Sequence, residues 1–415
     1  MTARHQTLQR LLDAYVRSAS GTKQRGADWY ASMGTTVGGS EVAALLGLNP
    51  YSGFYDVVRS KIAILNGQSD WGGGGPPCWW GVLFEDVIAL YVAADLGAPI
   101  LGDDICVQKM PGHRNSPDGF IVARFTLQAA APALAAQAQA PVPEAKLWTT
   151  DMPAADTESE IVLLEFKCPY SRAPTKSPTV PKQYRPQLWS GLMVTPVARR
   201  GLFVDAVFRK CALADLADTP MYDTVYHTAK TNETNLLPVA WGVIHVYAPE
   251  DKAPREVRWS SGADGAAAAA GFGGAVLDLG AAAVDVFNNA LRLIDSGAFR
   301  VERGAPHFVD GRFGDYVAAT PAAPEHHRLV GVIPWKLFRV HYVFVERHPD
   351  FAAEVMPRIT EVHRLVAEAR ATADPLAFVA AHQQNAWQAT YEPSTEDQGV
   401  FDLASAPAVP SGPAP

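Results

Sequence analysis

Two short stretches of this chain carry acids and a lysine in positions suited to one shared task. Glu165-Phe166-Lys167 closes the apolar run Ile161-Val162-Leu163-Leu164 and is followed by Cys168-Pro169, so it reads as the end of a strand. Side chains two apart on a strand share a face, which points Glu165 and Lys167 one way and Val162, Leu164 and Phe166 the other. Ser116-Pro117-Asp118-Gly119 is a turn signature, and Phe120-Ile121-Val122 after it reads as a second strand. Taken singly, each has a plain structural reading: an ion pair at a strand end, and an aspartate bonding its own turn. Taken together, two carboxylates and an ammonium on adjoining strands suit phosphodiester hydrolysis assisted by a hard divalent cation. Mg²⁺ prefers oxygen ligands and keeps several waters; bound, it polarises a phosphoryl oxygen and acidifies the attacking water. Asp118 is expected as the shared central ligand, Glu165 as the second and the Phe166 carbonyl as a further oxygen. Lys167 is expected to orient or deprotonate the water, or to stabilise charge developing on phosphorus.

Two helices add polar groups. Over about Val82 to Leu96 the residues Phe84, Val87, Ile88 and Tyr91 form an apolar face closed by Gly97, and Glu85 sits at its edge. Over Tyr184 to Val194, Gln187 lies one turn after Tyr184 and shares its face. The bland readings are a solvated flank glutamate and a capping amide. Ser40 reads as the N-cap of a short helix that Gly47 stops.

The elements that must hold these residues alternate helix and strand from Trp29 to about Phe208, the pattern of an α/β core. The expected division is an N-terminal helix over 1–28 and a core over 29–210 with an Ala/Pro/Gln-rich insertion at about 126–160. An insertion of unreadable role follows over 211–334, then a strand and helix over 335–375 that complete the core, then a Pro/Ala/Ser-rich tail over 376–415. Within the second insertion Trp241 to Tyr247 reads as a strand, Gly262 to Gly274 is an Ala/Gly run and Ala281 to Ile294 reads as a helix. Val340 to Glu346 reads as a strand and Ala353 to Arg370 as a helix.

With 43 acidic against 35 basic residues the net charge is −8, which supplies no global attraction to nucleic acid and leaves that task to a local basic groove. The four cysteines show no C-x-x-C spacing, which argues against a disulfide framework, a zinc ribbon or an iron–sulfur cluster and for reduced, mostly buried thiols. No run of roughly 18 uncharged apolar residues exists to span a membrane, and Met1 to Gln24 lacks a signal-peptide layout. An intracellular, unsecreted chain is expected.

These residues resemble the phage lambda-type exonucleases, also called YqaJ-like viral recombinase nucleases. Ser116-Pro117-Asp118-Gly119, Leu164-Glu165-Phe166-Lys167-Cys168-Pro169, Trp80-Gly81 before Glu85, Tyr184-x-x-Gln187 with Met193-Val194-Thr195, and His341-Tyr342-Val343 with Glu346-Arg347 are similar to that family's segments and stand in its order. The resemblance implies a restriction-endonuclease-like, PD-(D/E)xK core: a central mixed sheet flanked by helices, with insertions. It implies an exonuclease on linear duplex DNA, usually 5′ to 3′, using Mg²⁺ or Mn²⁺ in recombination or viral DNA processing. A single-strand annealing partner and a homo-oligomer are implied with it. Asp118, Glu165 and Lys167 take the metal-ligand and lysine roles, and Glu85 and Gln187 those of helix residues of the site. Ser40, Ser116 and Tyr184 take phosphate- or DNA-binding roles. One departure stands out: the family carries an arginine just before the helix at Ser40, where this chain has Ala31-Ser32-Met33-Gly34. The alternatives are a nuclease of the same fold that prefers single strands, flaps or nicking, and a non-catalytic DNA-binding scaffold.

Overall fold

The strand that ends in Glu165-Phe166-Lys167 lies inside the larger of two sheets, with apolar side chains on both of its faces. The computed structural model describes residues 3–19, 27–67, 76–123, 146–148, 159–170, 180–210, 216, 238–250, 300–303, 307–308 and 325–385. The Ala/Gly run at 262–274, the helix expected at 281–294, residues 386–415 of the expected tail and most of the insertion at 126–160 lie outside these residues, whereas the start of that tail is helical over Pro375–Asn385.

In chain order the helices are α1 (Ala3–Ala19), α2 (Ala27–Ser32), α3 (Val42–Leu45), α4 (Phe54–Leu65), α5 (Pro76–Leu96), α6 (Arg185–Val194), α7 (Phe351–Arg370) and α8 (Pro375–Asn385). The strands are β1 (Val37–Gly38), β2 (Ile100–Leu101), β3 (Val107–Met110), β4 (His113–Asn115), β5 (Gly119–Ala123) and β6 (Lys146–Trp148). They continue with β7 (Glu160–Lys167), β8 (Arg200–Lys210), β9 (Ala240–Pro249), β10 (Arg300–Arg303), β11 (His307–Phe308) and β12 (His327–Val345).

The larger sheet runs β10-β9-β12-β8-β7-β5-β2, with β11 paired to β9 and β6 to β12; β1, β4 and β3 form the smaller sheet. β5 and β7 are antiparallel, with Gly119 opposite Leu164 and Ile121 opposite Val162. β7 and β8 are parallel, with Glu165 beside Phe203 and Lys167 beside Asp205, and α6 lies in the connection between them. A strand with helices on both sides has no solvated face, so β7 reads as a continuous apolar run rather than an alternating one. Ile161 and Leu163 join Phe120, Val122 and Phe203 under α1, α4, α6 and α7. Val162, Leu164 and Phe166 join Ile121, Leu202 and Val204 under α5. The result is the expected mixed sheet flanked by helices.

Several elements differ in extent from the sequence reading. α5 begins at Pro76, not Val82, because the first turn of a helix tolerates proline, whose missing N–H would have no partner there. Ser40 is not an N-cap: it lies in a 3-10 turn, Gly39–Glu41, and α3 starts only at Val42. Gly47, at φ +71°, does end that segment in the left-handed region. β12 is 19 residues long rather than starting at Val340, and its first half pairs with β9. Lys146–Trp148, within the Ala/Pro/Gln-rich stretch, is a short strand on β12. Cys106 and Cys168 are free, buried thiols as expected; the side chains of Cys78 and Cys211 lie outside the described residues.

Candidate active site

Asp118 and the β7 end are held together by a direct bond. The Phe166 N–H, the amide between Glu165 and Lys167, donates to Asp118 Oδ2 at 2.5 Å. The turn that makes this possible needs Gly119, whose φ is +139° and where an added Cβ would stand 2.4 Å from Ile100 Cγ2. Glu165 and Lys167 project from the face of β7 that meets α6, and Lys167 Nζ donates to Glu165 Oε1. Lys167 Nζ also stands 5.3 Å from the ring centroid of Tyr184, which itself stacks on Phe203.

These groups border an open cleft of about 890 Å³. Of the residues singled out from the sequence, Ser40, Glu85, Ser116, Asp118, Phe166, Lys167, Tyr184 and Gln187 line it. Glu165 does not: it lies just beneath the floor, 2% exposed, with Gln187 as a second hydrogen-bond partner. Residues 28–198, which contain all of these side chains, match one family description. That description is the YqaJ-like viral recombinase domain, which this segment resembles.

The relatives extend past that domain. A protein of African swine fever virus (strain Badajoz 1971 Vero-adapted) is 27% identical over 375 residues, spanning 88% of this chain and 92% of its own. Its counterpart in the Tick/Malawi isolate is 28% identical over 348 residues, 82% and 84% of the two chains. Among solved structures, an alkaline exonuclease from Laribacter hongkongensis is 15% identical and covers 44% of this chain and 74% of its own, with a TM-score of 0.28. The same exonuclease in complex with dAMP gives 14%, 43%, 73% and 0.28.

The electrostatics of the cleft are those of crowded acids around one ammonium. Burial pushes the Glu165 carboxyl above the usual carboxylate range; Lys167 opposes this and Glu85 adds to it. Burial works against the Lys167 charge, but Glu165 and Asp118 outweigh it and hold the ammonium above the usual lysine range. Three carboxylates and one ammonium thus act on one another across this region. An all-oxygen donor set of Asp118, Glu165, the Phe166 carbonyl and Gln187 fits a hard dication. Cys168, the nearest soft ligand type, is held by burial as a neutral thiol far above its ordinary range. Among the described residues no three His, Cys, Asp or Glu side chains are grouped to hold an ion by themselves. The fit is thus to an ion held by two carboxylates, a carbonyl and water, the manner usual for Mg²⁺.

Sequence reasoning missed the other wall of the cleft. Arg114 is 6% exposed and lies over Trp29, 4.5 Å from its ring centroid. Glu41 accepts from Lys61 Nζ at 2.6 and 2.7 Å and from the Gly38 N–H at 2.7 Å. Behind them His113 Nδ1 donates to the Val37 carbonyl at 2.9 Å and His113 Nε2 accepts from Ser190 Oγ at 2.9 Å. Ser190 Oγ in turn accepts from Asn115 Nδ2 at 3.2 Å. Lys61 was the available signal: a lysine among Val57, Val58 and Ile62 on the apolar face of α4 must have a buried anion. Among the described residues no helix is long and apolar enough to cross a membrane.

Proposed function

We propose that the chain is a divalent-cation-dependent exonuclease that digests linear double-stranded DNA from 5′ to 3′ in recombination or viral-type DNA processing. The coarse part, a nuclease role in recombination, is what a YqaJ-like domain implies. The observation that carries the rest is the bond from the Phe166 amide to Asp118, which ties one acid to the backbone between the other acid and the lysine.

The residues divide the work. Asp118, Glu165 and the Phe166 carbonyl would hold the ion, which supplies a Lewis acid and a more acidic attacking water. Lys167, kept positive by its acidic neighbours, stabilises the negative charge that builds on the phosphoryl oxygens. Its raised pKa makes it a charge stabiliser rather than a base. Tyr184 fixes the direction of the ammonium through its ring face. Gln187 hydrogen-bonds Glu165, so the buried carboxylate keeps one orientation.

Asp118→Asn tests this reading, because the amide oxygen still accepts from Phe166 while one charge is lost. Loss of linear duplex DNA is followed with Mg²⁺ and with EDTA, beside circular and single-stranded substrates. The expected result is metal-dependent loss of the linear duplex alone, slowed about 100-fold or more in the variant. Full activity in EDTA, or a variant as fast as the wild type, would overturn it.

A further inference from the structure

We propose that Tyr51 and Tyr170 are stacking surfaces for unpaired nucleobases, so that the cleft takes a duplex best when its end carries a few bases without partners. This deepens the nuclease reading and rests on it.

Six large apolar side chains are exposed among the described residues, and the two of them that line the cleft are both tyrosines. One exposed ring means little, since folded proteins leave much apolar surface in water. Two rings from separate stretches of chain at one opening call for a ligand. Tyr51 is 93% exposed, yet its loop is closely tied. The Leu48 and Asn49 N–H groups both donate to the Ala43 carbonyl, at 2.8 and 3.2 Å. Asn49 Oδ1 accepts from the Tyr51 N–H at 2.9 Å, and Asp56 Oδ2 accepts from the Gly53 N–H at 2.8 Å. Pro50 fixes a further backbone angle between these bonds. The loop is thus held without the Tyr51 ring, which is left in solvent at the cleft. Tyr170 arrives from the end of β7, three residues after Lys167, so the two Cα atoms are at most about 11 Å apart. It meets the buried Trp80 edge to face, with 5.6 Å between ring centroids and 77° between planes. Trp80 in turn lies 4.5 Å from Phe84. The contact props the Tyr170 ring and leaves it 45% exposed.

Exposed rings beside a cleft that cuts nucleic acid match the faces of bases. Every base has a π-face, so stacking on an aromatic side chain tolerates any sequence. Within a duplex those faces are covered by neighbouring base pairs. An unpaired base is the one free to leave its stack and lie on a protein ring. The tyrosine hydroxyls can stay in water while the ring faces make the contact. An apolar protein partner fits less well, because it would need a contiguous apolar patch, and Ser40, Asn115, Ser116 and Gln183 also line the cleft. Charge points the same way. The cleft sets Glu85 and Asp118 against Arg114 and Lys167, and the chain as a whole is at −8. Stacking is a contact of apolar surfaces, so it adds affinity that an acidic protein does not cancel.

The test uses the full chain in EDTA, so that no cleavage is needed. Fluorescence anisotropy measures binding of a short duplex, dye-labelled at one end and carrying at the other a short tail on the 5′ or the 3′ strand. The tail is either unpaired adenines or abasic sites, which keep the sugars and phosphates and remove only the bases. Wild type is expected to bind the adenine tail of one polarity about tenfold more tightly than its abasic counterpart. Tyr51→Ala and Tyr170→Ala should each lower that ratio to about threefold, and the double variant to about one. Tyr51→Phe should keep the full ratio, because it keeps the ring. Tyr51 is almost wholly in solvent, so its replacement leaves the fold intact. Equal affinity of wild type for adenine and abasic tails of both polarities would overturn the proposal. So would a double variant that keeps the ratio, or a loss in Tyr51→Phe, the mark of a hydroxyl contact. Cleavage in Mg²⁺ without a preference for bases would remove the stacking and leave the nuclease; a preference for bases without cleavage would do the reverse.

Discussion

At Lys167 two cations compete for the same carboxylates: the ammonium that the chain supplies and the metal that it is proposed to bind. Lys167→Met removes the first. Glu165 is then left buried beside Glu85 with no counter-charge, while Lys167 itself is 22% exposed, so the loss in EDTA should be about 2 kcal/mol, below that of a fully buried pair. Added Mg²⁺ should restore more stability to the variant than it adds to wild type, as denaturant melts with and without the ion would show. An equal gain in both would mean that the ion and the ammonium do not share ligands. Hydrolysis should still fail in the variant, because the ion cannot replace the charge held over Tyr184. Glu165 adds a pH dependence. Its raised carboxyl pKa favours the neutral form in the fold, so its contribution to stability is present below the ordinary carboxylate range and is lost as pH rises through the raised value. Metal affinity should run the other way, rising with pH as Glu165 ionises. Calorimetric titration across weakly acidic pH checks this, and Glu165→Gln should flatten the curve.

At the scale of elements, β4 and α6 are joined behind the cleft by the His113–Ser190–Asn115 chain. Burial pushes His113 down to about 4, with Arg114 adding and the Val37 carbonyl opposing. A histidine depressed from its ordinary 6.5 contributes stability that is complete above that value and is lost as pH falls toward 4, about 3 kcal/mol across the window. Urea melts from neutral pH down to about 4 should therefore fall more steeply for wild type than for His113→Gln, which has no ring to charge. Nothing in the sequence announced this link, because Ser190 is more than 70 residues from His113 and Asn115 and all three are unremarkable where they stand. What was legible had a local cause: the apolar run before Glu165, the Pro-Asp-Gly turn, and the period of α5 and α7. The extent of β12 had a tertiary cause: it runs on past its apolar segment because β9 pairs with its first half. The acids were found because strand alternation fixes their face; Arg114 was not, since a short strand in the smaller sheet gives no periodic signal.

The whole molecule is acidic, at −8, and yet it is proposed to hold DNA, so its grip must be local. Among the described residues the cleft is lined by two cationic side chains, Arg114 and Lys167, set against Glu85 and Asp118. An enzyme that covered a long stretch of duplex would release one counterion for each phosphate neutralised, giving an affinity that collapses with salt. Two contacts predict a shallow dependence, with log K falling against log salt at a slope of about −2. Fluorescence anisotropy of a short blunt dye-labelled duplex, bound in EDTA over a range of NaCl, measures it. Arg114→Gln should reduce the slope by about 1, because one cation lining the cleft is gone. A wild-type slope steeper than about −5 would show that a basic track elsewhere on the chain carries the binding. The cleft would then be the place of cutting but not of holding. A shallow slope would instead mean that the two cations of the cleft carry the grip, so that an otherwise acidic surface meets the duplex at one place only.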